Sequence, residues 1–417
     1  MLDKLPDDCQ LRIIRYVKDL TDQMALRHVC KSLRDNVEYH WKQHIREIYV
    51  QGAELEHFEE YPDDLHALLK QTCGTVTSIV MSRGSANLLP EWVGYEFPKV
   101  TSLDCEIFNT NNDPDDDVNM MTKMFPNIVH LSLQSNATGR YMWRWTRLIS
   151  MHFYCCESLE PRMLLRTFVK VPVHKLTILF YGYSVNLGDD LVGASMLPFL
   201  EELVIDDHHL LGDFMPNLMK LPKFTRLAFY TRDYYEHLLQ SVAKLAPLRV
   251  NALSFFDAFW SSDRLCDDIE RMSNLRRLVL QDDDIEASQL HTLCSRLKNL
   301  EELHLINMRS LPTTHQIWGV VEAAENLELL NLTGCTLDPD FLKQSTSRLS
   351  VVLKNRDPQS FTINLSETLA EEDMKKTQNA LKHPSLIVAY DFIDLDGWTS
   401  RFIEIGFDPI DESESED

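Results

Sequence analysis

The sequence predicts an α/β solenoid, in which strand–turn–helix repeats stack side by side behind a small helical module. Two observations support this prediction. The pattern L-x-x-L-x-L, as in Leu300, Leu303 and Leu305, recurs along most of the chain. The segments between its copies, such as residues 288–297, carry apolar residues at helical spacing. A fixed period that holds one strand and one helix is typical of a stacked repeat array.

The pattern occurs eleven times, and apolar residues fill all three positions in every copy. The middle positions of successive copies lie 20 to 28 residues apart. In chain order the copies are Val76/Ile79/Met81, Val100/Leu103/Cys105, Ile128/Leu131/Leu133, Leu148/Met151/Phe153, Val173/Leu176/Ile178, Leu200/Leu203/Ile205, Phe224/Leu227/Phe229, Val250/Leu253/Phe255, Leu275/Leu278/Leu280, Leu300/Leu303/Leu305 and Leu327/Leu330/Leu332. The chain here resembles leucine-rich repeat proteins, and stacking of such repeats predicts a curved parallel sheet inside with helices outside.

The array is expected over residues 76–395, with about eleven to thirteen repeats. After Cys335 the period is less regular, but Phe361/Ile363 and Leu386/Val388 indicate two further strands. Residues 404–417 are strongly acidic and are expected to be disordered.

Composition restricts the classes of partner. The net charge of −23 and the pI near 5.0 argue against nucleic acid or an anionic membrane and favour a basic protein partner. Nine cysteines without a C-x-x-C motif indicate a reduced protein of the cytoplasm, the nucleus or both. The N-terminal stretch MLDKLPDDCQ is charged and has no apolar h-region, and no run of 18 apolar residues is present, so neither a signal peptide nor a membrane span is expected.

Residues 1–50 lack the repeat and predict three short amphipathic helices. Pro6 and the two aspartates after it favour the start of the first helix, and Thr21 is a candidate cap for the second. The apolar residues of the three helices are Ile13, Ile14 and Val17; Leu26, Val29, Cys30, Leu33 and Val37; and Trp41, Ile45 and Ile48. On spacing alone, this module is either a partner-binding unit or a helical cap over the first repeat. Residues 51–75 predict a helical connector and array cap, with a helix start at Tyr61-Pro62.

The order and spacing of the first helices resemble an F-box. The matching residues are Leu5, Pro6, Asp7, Asp8, Ile13, Ile14, Val29, Cys30, Lys31 and Trp41. Val17 and Leu33 depart from the usual Leu and Trp but remain apolar. The resemblance implies docking to the Skp adaptor of a cullin–RING ubiquitin ligase. The implied adaptor-binding residues are Leu5, Pro6, Ile13, Ile14, Leu26, Val29, Cys30, Leu33 and Trp41.

No catalytic motif is recognisable. The chain has no phosphate-binding glycine loop, no nucleophile elbow and no cysteine–histidine spacing that would hold zinc. The segment Asp394-Leu395-Asp396-Gly397 resembles part of a calcium loop but lacks the other ligand positions. The sequence therefore predicts a protein without catalytic residues, metal or cofactor.

Two functions from different classes fit these observations. An F-box followed by leucine-rich repeats is the layout of a substrate-recognition subunit of a Skp–cullin–F-box ubiquitin ligase. The module would then bind the adaptor and the array would bind a protein substrate. The alternative is a free-standing acidic binding protein, such as an inhibitor or chaperone of a basic partner, whose helical N-terminus is only a cap.

The substrate face is expected in the middle of the array, near residues 202–304. In L-x-x-L-x-L the apolar positions point into the solenoid, so the residues between them point to the concave side. Aromatic and arginine side chains there are typical interface anchors. The candidates, together with aromatics just past the strands, are Tyr154, Glu202, Asp206, Arg226, Tyr230, Phe256, Phe259, Trp260, Arg277, Glu302 and His304.

Overall fold

The structure, a computed structural model, describes residues 4–108, 113–179, 197–205, 208–231, 235–259, 262–338, 340–352, 361–368, 371–377, 385–393, 395 and 401–410. The chain divides into two compact units, Met1–Leu200 and Glu201–Asp417. In each unit strands of a mostly parallel sheet alternate with helices along the chain. The predicted fold class, an α/β solenoid, is confirmed.

Three helices open the first unit, as the sequence predicts: α1 (Asp7–Ile14), α2 (Leu20–Val29) and α3 (Lys31–His44). The predicted bounds of the second helix are wrong. Cys30 is extended, with φ −162° and ψ 168°, so the chain breaks there and starts a new helix. The cap of α2 is Asp19, whose carboxylate accepts a hydrogen bond from the N–H of Asp22 at 3.0 Å.

The rest of the first unit consists of strands and further helices. The strands are β1 (Glu47–Val50), β2 (Ser78–Met81), β3 (Ser102–Ile107), β4 (His130–Ser135), β5 (Ser150–Tyr154) and β6 (Lys175–Leu179). The helices are α4 (Gly52–Glu60), α5 (Pro62–Thr72), α6 (Leu89–Trp92), α7 (Pro114–Met124) and α8 (Pro161–Lys170), with 3₁₀ turns at Ser85–Leu88 and Met142–Arg144. Each strand pairs in parallel with the next one along the chain.

Strand β1 shows that the sheet begins earlier than predicted. Ile48 was expected in a third helix, but it lies opposite Ile79 in the parallel pair of β1 and β2. The sheet therefore starts at residue 47 and not near 76. Ile45, Ile48 and Val50 repeat the L-x-x-L-x-L spacing, so a twelfth copy precedes the eleven. The predicted connector, residues 51–75, contains α4 and α5 and follows this first strand.

The second unit continues the alternation of strand and helix. Its strands are β7 (Glu202–Ile205), β8 (Arg226–Tyr230), β9 (Val250–Phe256), β10 (Arg277–Gln281), β11 (Glu302–Ile306), β12 (Leu329–Asn331), β13 (Phe361–Asn364), β14 (Leu386–Ala389) and β15 (Phe402–Phe407). Its helices are α9 (His208–Leu218), α10 (Glu236–Leu245), α11 (Asp263–Arg271), α12 (Ala287–Arg296), α13 (Thr314–Ala323), α14 (Phe341–Val352) and α15 (Glu371–Thr377). The two strands expected after residue 335 are present as β13 and β14.

The last strand departs from the predicted topology. β15 runs antiparallel and lies between β8 and β9, pairing with both. Residues 404–410 are thus ordered and in the sheet or just after it, which contradicts the prediction of a disordered tail from residue 404. The cause is the alternation of Ile403, Ile405 and Phe407, three apolar side chains that are all buried. Residues 411–417 lie outside the described residues.

The eleven predicted apolar triplets form the core. Every one of their side chains is buried, and none is more than 4% exposed. Neighbouring strands place equivalent positions opposite one another, as in Leu278, Leu303 and Leu330. Helix side chains lie against such positions. The ring of Trp318 on α13, for example, is 6.3 Å from that of Phe361 on β13. The periodicity of the sequence is therefore the periodicity of the core.

Candidate protein-interaction sites

The N-terminal module, residues 4–45, has an exposed apolar surface. Leu5, Ile13 and Val29 are 38%, 37% and 63% exposed. Pro6 is exposed and Cys30 is half-buried. Burying large apolar side chains against a partner would be favourable by about 1.5–3 kcal/mol each. We call this surface, made of Leu5, Pro6, Ile13 and Val29 with the half-buried Leu26 and Cys30, the docking face.

Three of the predicted adaptor-binding residues do not belong to this face. Ile14, Leu33 and Trp41 are buried inside the module and are not part of its accessible surface. The indole N–H of Trp41 donates to the side-chain oxygen of Gln23 at 2.7 Å. Apolar positions at helical spacing include those that bind the helices to each other, and here these three have that role.

A buried glutamine, which the sequence analysis did not single out, holds the start of the docking face in place. Gln10 on α1 donates from Nε2 to the backbone oxygen of Leu5 at 2.9 Å. Its Oε1 accepts from Asn36 at 3.0 Å and from Ser32 at 3.1 Å, both on α3. Because every polar atom of its amide group is used, Gln10 fixes the Leu5-Pro6 segment against α3. The signal for Gln10 in the sequence was its position: it is a polar residue at helical spacing from the apolar residues Ile13 and Ile14.

A buried carboxylate anchors the module to the helices that follow β1. Asp64 on α5 is fully buried and accepts from Arg27 Nη1 at 2.6 Å. Its other oxygen contacts His28 Nε2 at 2.7 Å and His57 Nε2 at 2.8 Å. Arg27 also pairs with Glu38 at 2.9 Å. The cluster joins α2, α3, α4 and α5, so the module is fixed to the first repeat. In the sequence, Asp64 is recognisable only as an acidic residue in the first turn after the helix start at Tyr61-Pro62.

We expect Asp64→Asn to destabilise the first unit by about 1.5–3 kcal/mol at neutral pH, because it weakens hydrogen bonds to charged groups. Burial raises the pKa of Asp64, but hydrogen bonds from His28 and His57 and the charge of Arg27 together lower it below its usual value. The stabilisation is therefore present above the unfolded-state pKa of about 3.9 and is lost as pH falls through the lower folded-state pKa.

Urea unfolding of the parent and of Asp64→Asn as a function of pH tests this expectation. The difference in free energy of unfolding should shrink in acid. Asp63→Asn, at the exposed neighbouring position, is the control and should cost little at any pH. A difference between parent and Asp64→Asn that is independent of pH would contradict the role assigned to the ionised carboxylate.

The predicted substrate face is only partly accessible. In the second unit Glu202, Arg226, Tyr230 and Glu302 are half-buried and Arg277 is exposed. Tyr154, in the first unit, is half-buried as well. Asp206 and Trp260 lie outside the described residues. Except for Tyr154, the accessible candidates lie on strands β7, β8, β10 and β11.

Phe256, Phe259 and His304 are buried, so the prediction that they form an accessible surface is wrong. Phe259 packs against the ring of Phe255 with centroids 5.1 Å apart. His304 contacts Glu302 Oε2 at 3.3 Å and Asn331 Nδ2 at 3.2 Å. Neighbouring strands and turns cover these positions, which the spacing of a single strand cannot show.

β15 adds residues to this face that the sequence analysis did not consider. Phe402 lies opposite both Tyr230 and Phe256 in the ladder, and its ring centroid is 5.5 Å from that of Tyr230. Glu404 pairs with Arg226 at 2.9 Å, and Arg226 also approaches Glu202 at 3.5 Å. The guanidinium of Arg226 is therefore already paired and Phe402 is buried, which leaves Tyr230 as the accessible aromatic side chain of the face.

Other site classes are not seen in the described part of the chain. There, no three or more His, Cys, Asp or Glu side chains are grouped so that they could hold a metal ion. No helix among the described residues is long and apolar enough to cross a membrane. All nine cysteines are free thiols.

Comparison with known proteins assigns the chain to no family. No family model matches the chain, and no curated protein matches it. Solved structures that it resembles include a protein from Bacteroides fragilis, with 12% identity over 82% of this chain and 84% of that chain and a TM-score of 0.30. Another is the yeast Rad7 and Elc1 complex, with 12% identity, 78% and 70% coverage and a TM-score of 0.27. Likeness at this level supports no functional assignment. The chain is an α/β repeat solenoid that follows a three-helix module.

Proposed function

We propose that the protein is the substrate-recognition subunit of a cullin–RING ubiquitin ligase of the Skp–cullin–F-box type. The observation that carries the proposal is the docking face. Its exposed residues Leu5, Pro6, Ile13 and Val29 are among those that match the F-box pattern, and they stand on a module with a core of its own. Exposed apolar side chains grouped on one small module are typical of an interaction site.

In this role the protein would position a substrate and would not itself take part in making or breaking bonds. The module would bind the Skp adaptor and through it a cullin, while the array would hold a protein substrate. The Asp64 cluster fixes the module to the first repeat, so the module and that repeat would move together. Holding a substrate lysine close to the ubiquitin-carrying enzyme raises its effective concentration. No catalytic residue is required of this chain.

The substrate face in this proposal is the accessible part of β7, β8, β10, β11 and β15, centred on Tyr230. Glu202 and Glu404 lie on the two strands next to that of Tyr230, and Glu302 adds a carboxylate on β11. A substrate segment that is basic and partly apolar would complement it. The competing function, a free-standing acidic binding protein, would use the same face but would need no adaptor.

Copurification separates the two functions. We expect the full chain to recover the Skp adaptor from cells, and the double variant Leu5→Ala with Pro6→Ala to recover far less. Tyr39→Ala, which removes an exposed side chain of α3 outside the docking face, is the matched control and should recover the adaptor normally. In the same experiment Tyr230→Ala should reduce recovery of substrate but not of adaptor. Failure of the parent chain to recover the adaptor would reject the ligase function and leave the binding protein.

A further inference from the structure

A concentration of basic residues lies between β4 and β6 in a chain that is otherwise acidic. Residues 140–170 contain six basic and two acidic residues, whereas the whole chain has a net charge of −23. The six are exposed and lie on the 3₁₀ turn Met142–Arg144, next to it, and on α8. They are Arg140, Arg144, Arg147, Arg162, Arg166 and Lys170.

Most of these cations lie over one of two aromatic rings, those of Tyr141 and Trp143. Lys170 Nζ lies 3.8 Å and Arg166 Cζ 4.5 Å from the ring centroid of Trp143. Arg144 Cζ lies 4.9 Å from the ring of Tyr141 and 5.7 Å from that of Trp143. Residues 166 and 170 are four apart on α8 and therefore lie on the same helix face. We call these five side chains the basic–aromatic patch.

The cations of the patch have no anionic partner. Across the residues that the structure describes, no acidic side chain lies within ion-pair distance of Arg144, Arg166 or Lys170. Elsewhere arginines such as Arg27 and Arg226 pair with carboxylates. A chain with a large excess of acids thus leaves these three bases without a carboxylate partner; Arg144 donates from Nη1 to the side-chain oxygen of Asn119.

We propose that the basic–aromatic patch is a docking surface for an acidic segment of a protein partner, rich in aspartate and glutamate. Cations stacked on aromatic rings are held in place, and those of their N–H groups that make no other hydrogen bond can bind carboxylates. A short acidic segment needs only this local charge. A long polyanion such as nucleic acid, or an anionic membrane, would also meet the net negative charge of the rest of the chain. This surface does not depend on the function proposed above.

Titration of the full chain with a fluorescent peptide of six glutamates between glycines tests the proposal. We expect binding that weakens as the salt concentration rises from about 0.05 M to about 0.5 M, because the contacts are exposed charges. Arg166→Glu with Lys170→Glu should weaken binding at least about tenfold, since it replaces attraction by repulsion. Lys99→Glu with Lys223→Glu changes the net charge equally at exposed positions outside the patch and should leave binding nearly unchanged.

A second variant tests the contribution of the aromatic ring. Trp143→Leu keeps every charge but removes the ring on which Arg166 and Lys170 lie, so we expect several-fold weaker binding. Circular dichroism should show that each variant is folded. The proposal is overturned if the parent does not bind the peptide, or if both charge-reversal pairs weaken binding equally. Tighter binding to anionic lipid vesicles or to a single-stranded oligonucleotide than to the peptide would also overturn it.

Discussion

Ile405→Asp should destabilise the second unit by more than about 4 kcal/mol, because it places an unpaired charge at a fully buried position of the sheet. Ile405 lies opposite Leu227 on β8 and Leu253 on β9, so the charge would face the core on both sides. Without β15, β8 and β9 would also each lose the hydrogen-bonding partner on one side. Urea unfolding, followed together with hydrogen exchange of the β8 and β9 amides, measures the effect.

The neighbouring residue supplies the control. Glu404 points to the opposite face, is partly exposed and pairs with Arg226. Glu404→Gln should therefore cost less than about 1 kcal/mol. Equal shifts of the urea midpoint for the two variants would contradict the structural role of β15.

Trp41→Ala should destabilise the N-terminal module by about 3–5 kcal/mol, because it empties a fully buried site. The side-chain oxygen of Gln23 would also lose the hydrogen bond that the indole N–H donates to it. Loss of adaptor binding by this variant would then follow from unfolding of the module. Thermal unfolding and hydrogen exchange of α1 to α3 are the measurements.

Val29→Ala serves as the comparison, because Val29 is exposed and its truncation should change stability by no more than about 0.5 kcal/mol. If Trp41→Ala kept the module folded and still lost the adaptor, Trp41 would be a contact residue and its assignment to the core would be wrong.

The repeat core was predictable because its determinants are local. Each triplet such as Leu300, Leu303 and Leu305 fixes one strand and its buried face, and the same spacing recurs with little variation. The first copy, Ile45, Ile48 and Val50, escaped recognition because it follows directly on helical spacing. Over only six residues, the apolar spacing of an amphipathic helix and that of a strand cannot be told apart.

The insertion of β15 could not be predicted from the same patterns. Residues 402–407 alternate apolar and polar or small side chains, which indicates a strand, but alternation does not identify its partners. Those partners, β8 and β9, lie more than 140 residues earlier in the chain. Arg249 helps to hold the end of the segment: its Nε donates to the backbone oxygen of Asp408 at 3.0 Å. Such a long-range contact has no local signal.

The candidate sites were predictable in their residue types and less so in their exposure. On the module, helical spacing identified apolar residues but did not separate Val29, which is exposed, from Leu33, which is buried. The difference in exposure arises because the chain is extended at Cys30, so Val29 and Leu33 lie on two separate helices, α2 and α3. On the sheet, Phe256 and Tyr230 occupy similar strand positions, yet only Tyr230 is accessible. Exposure depends on neighbouring strands that a single repeat does not contain.

The most direct test of the proposed function is the affinity of the purified full chain for the purified Skp adaptor. Isothermal titration should give one adaptor per chain for the parent and for Tyr39→Asp. Val29→Asp should weaken binding on the order of a hundredfold, since it removes an apolar contact and adds a charge to be desolvated. Equal affinities for Val29→Asp and Tyr39→Asp, or no adaptor binding by the parent chain, would contradict the assignment of the docking face.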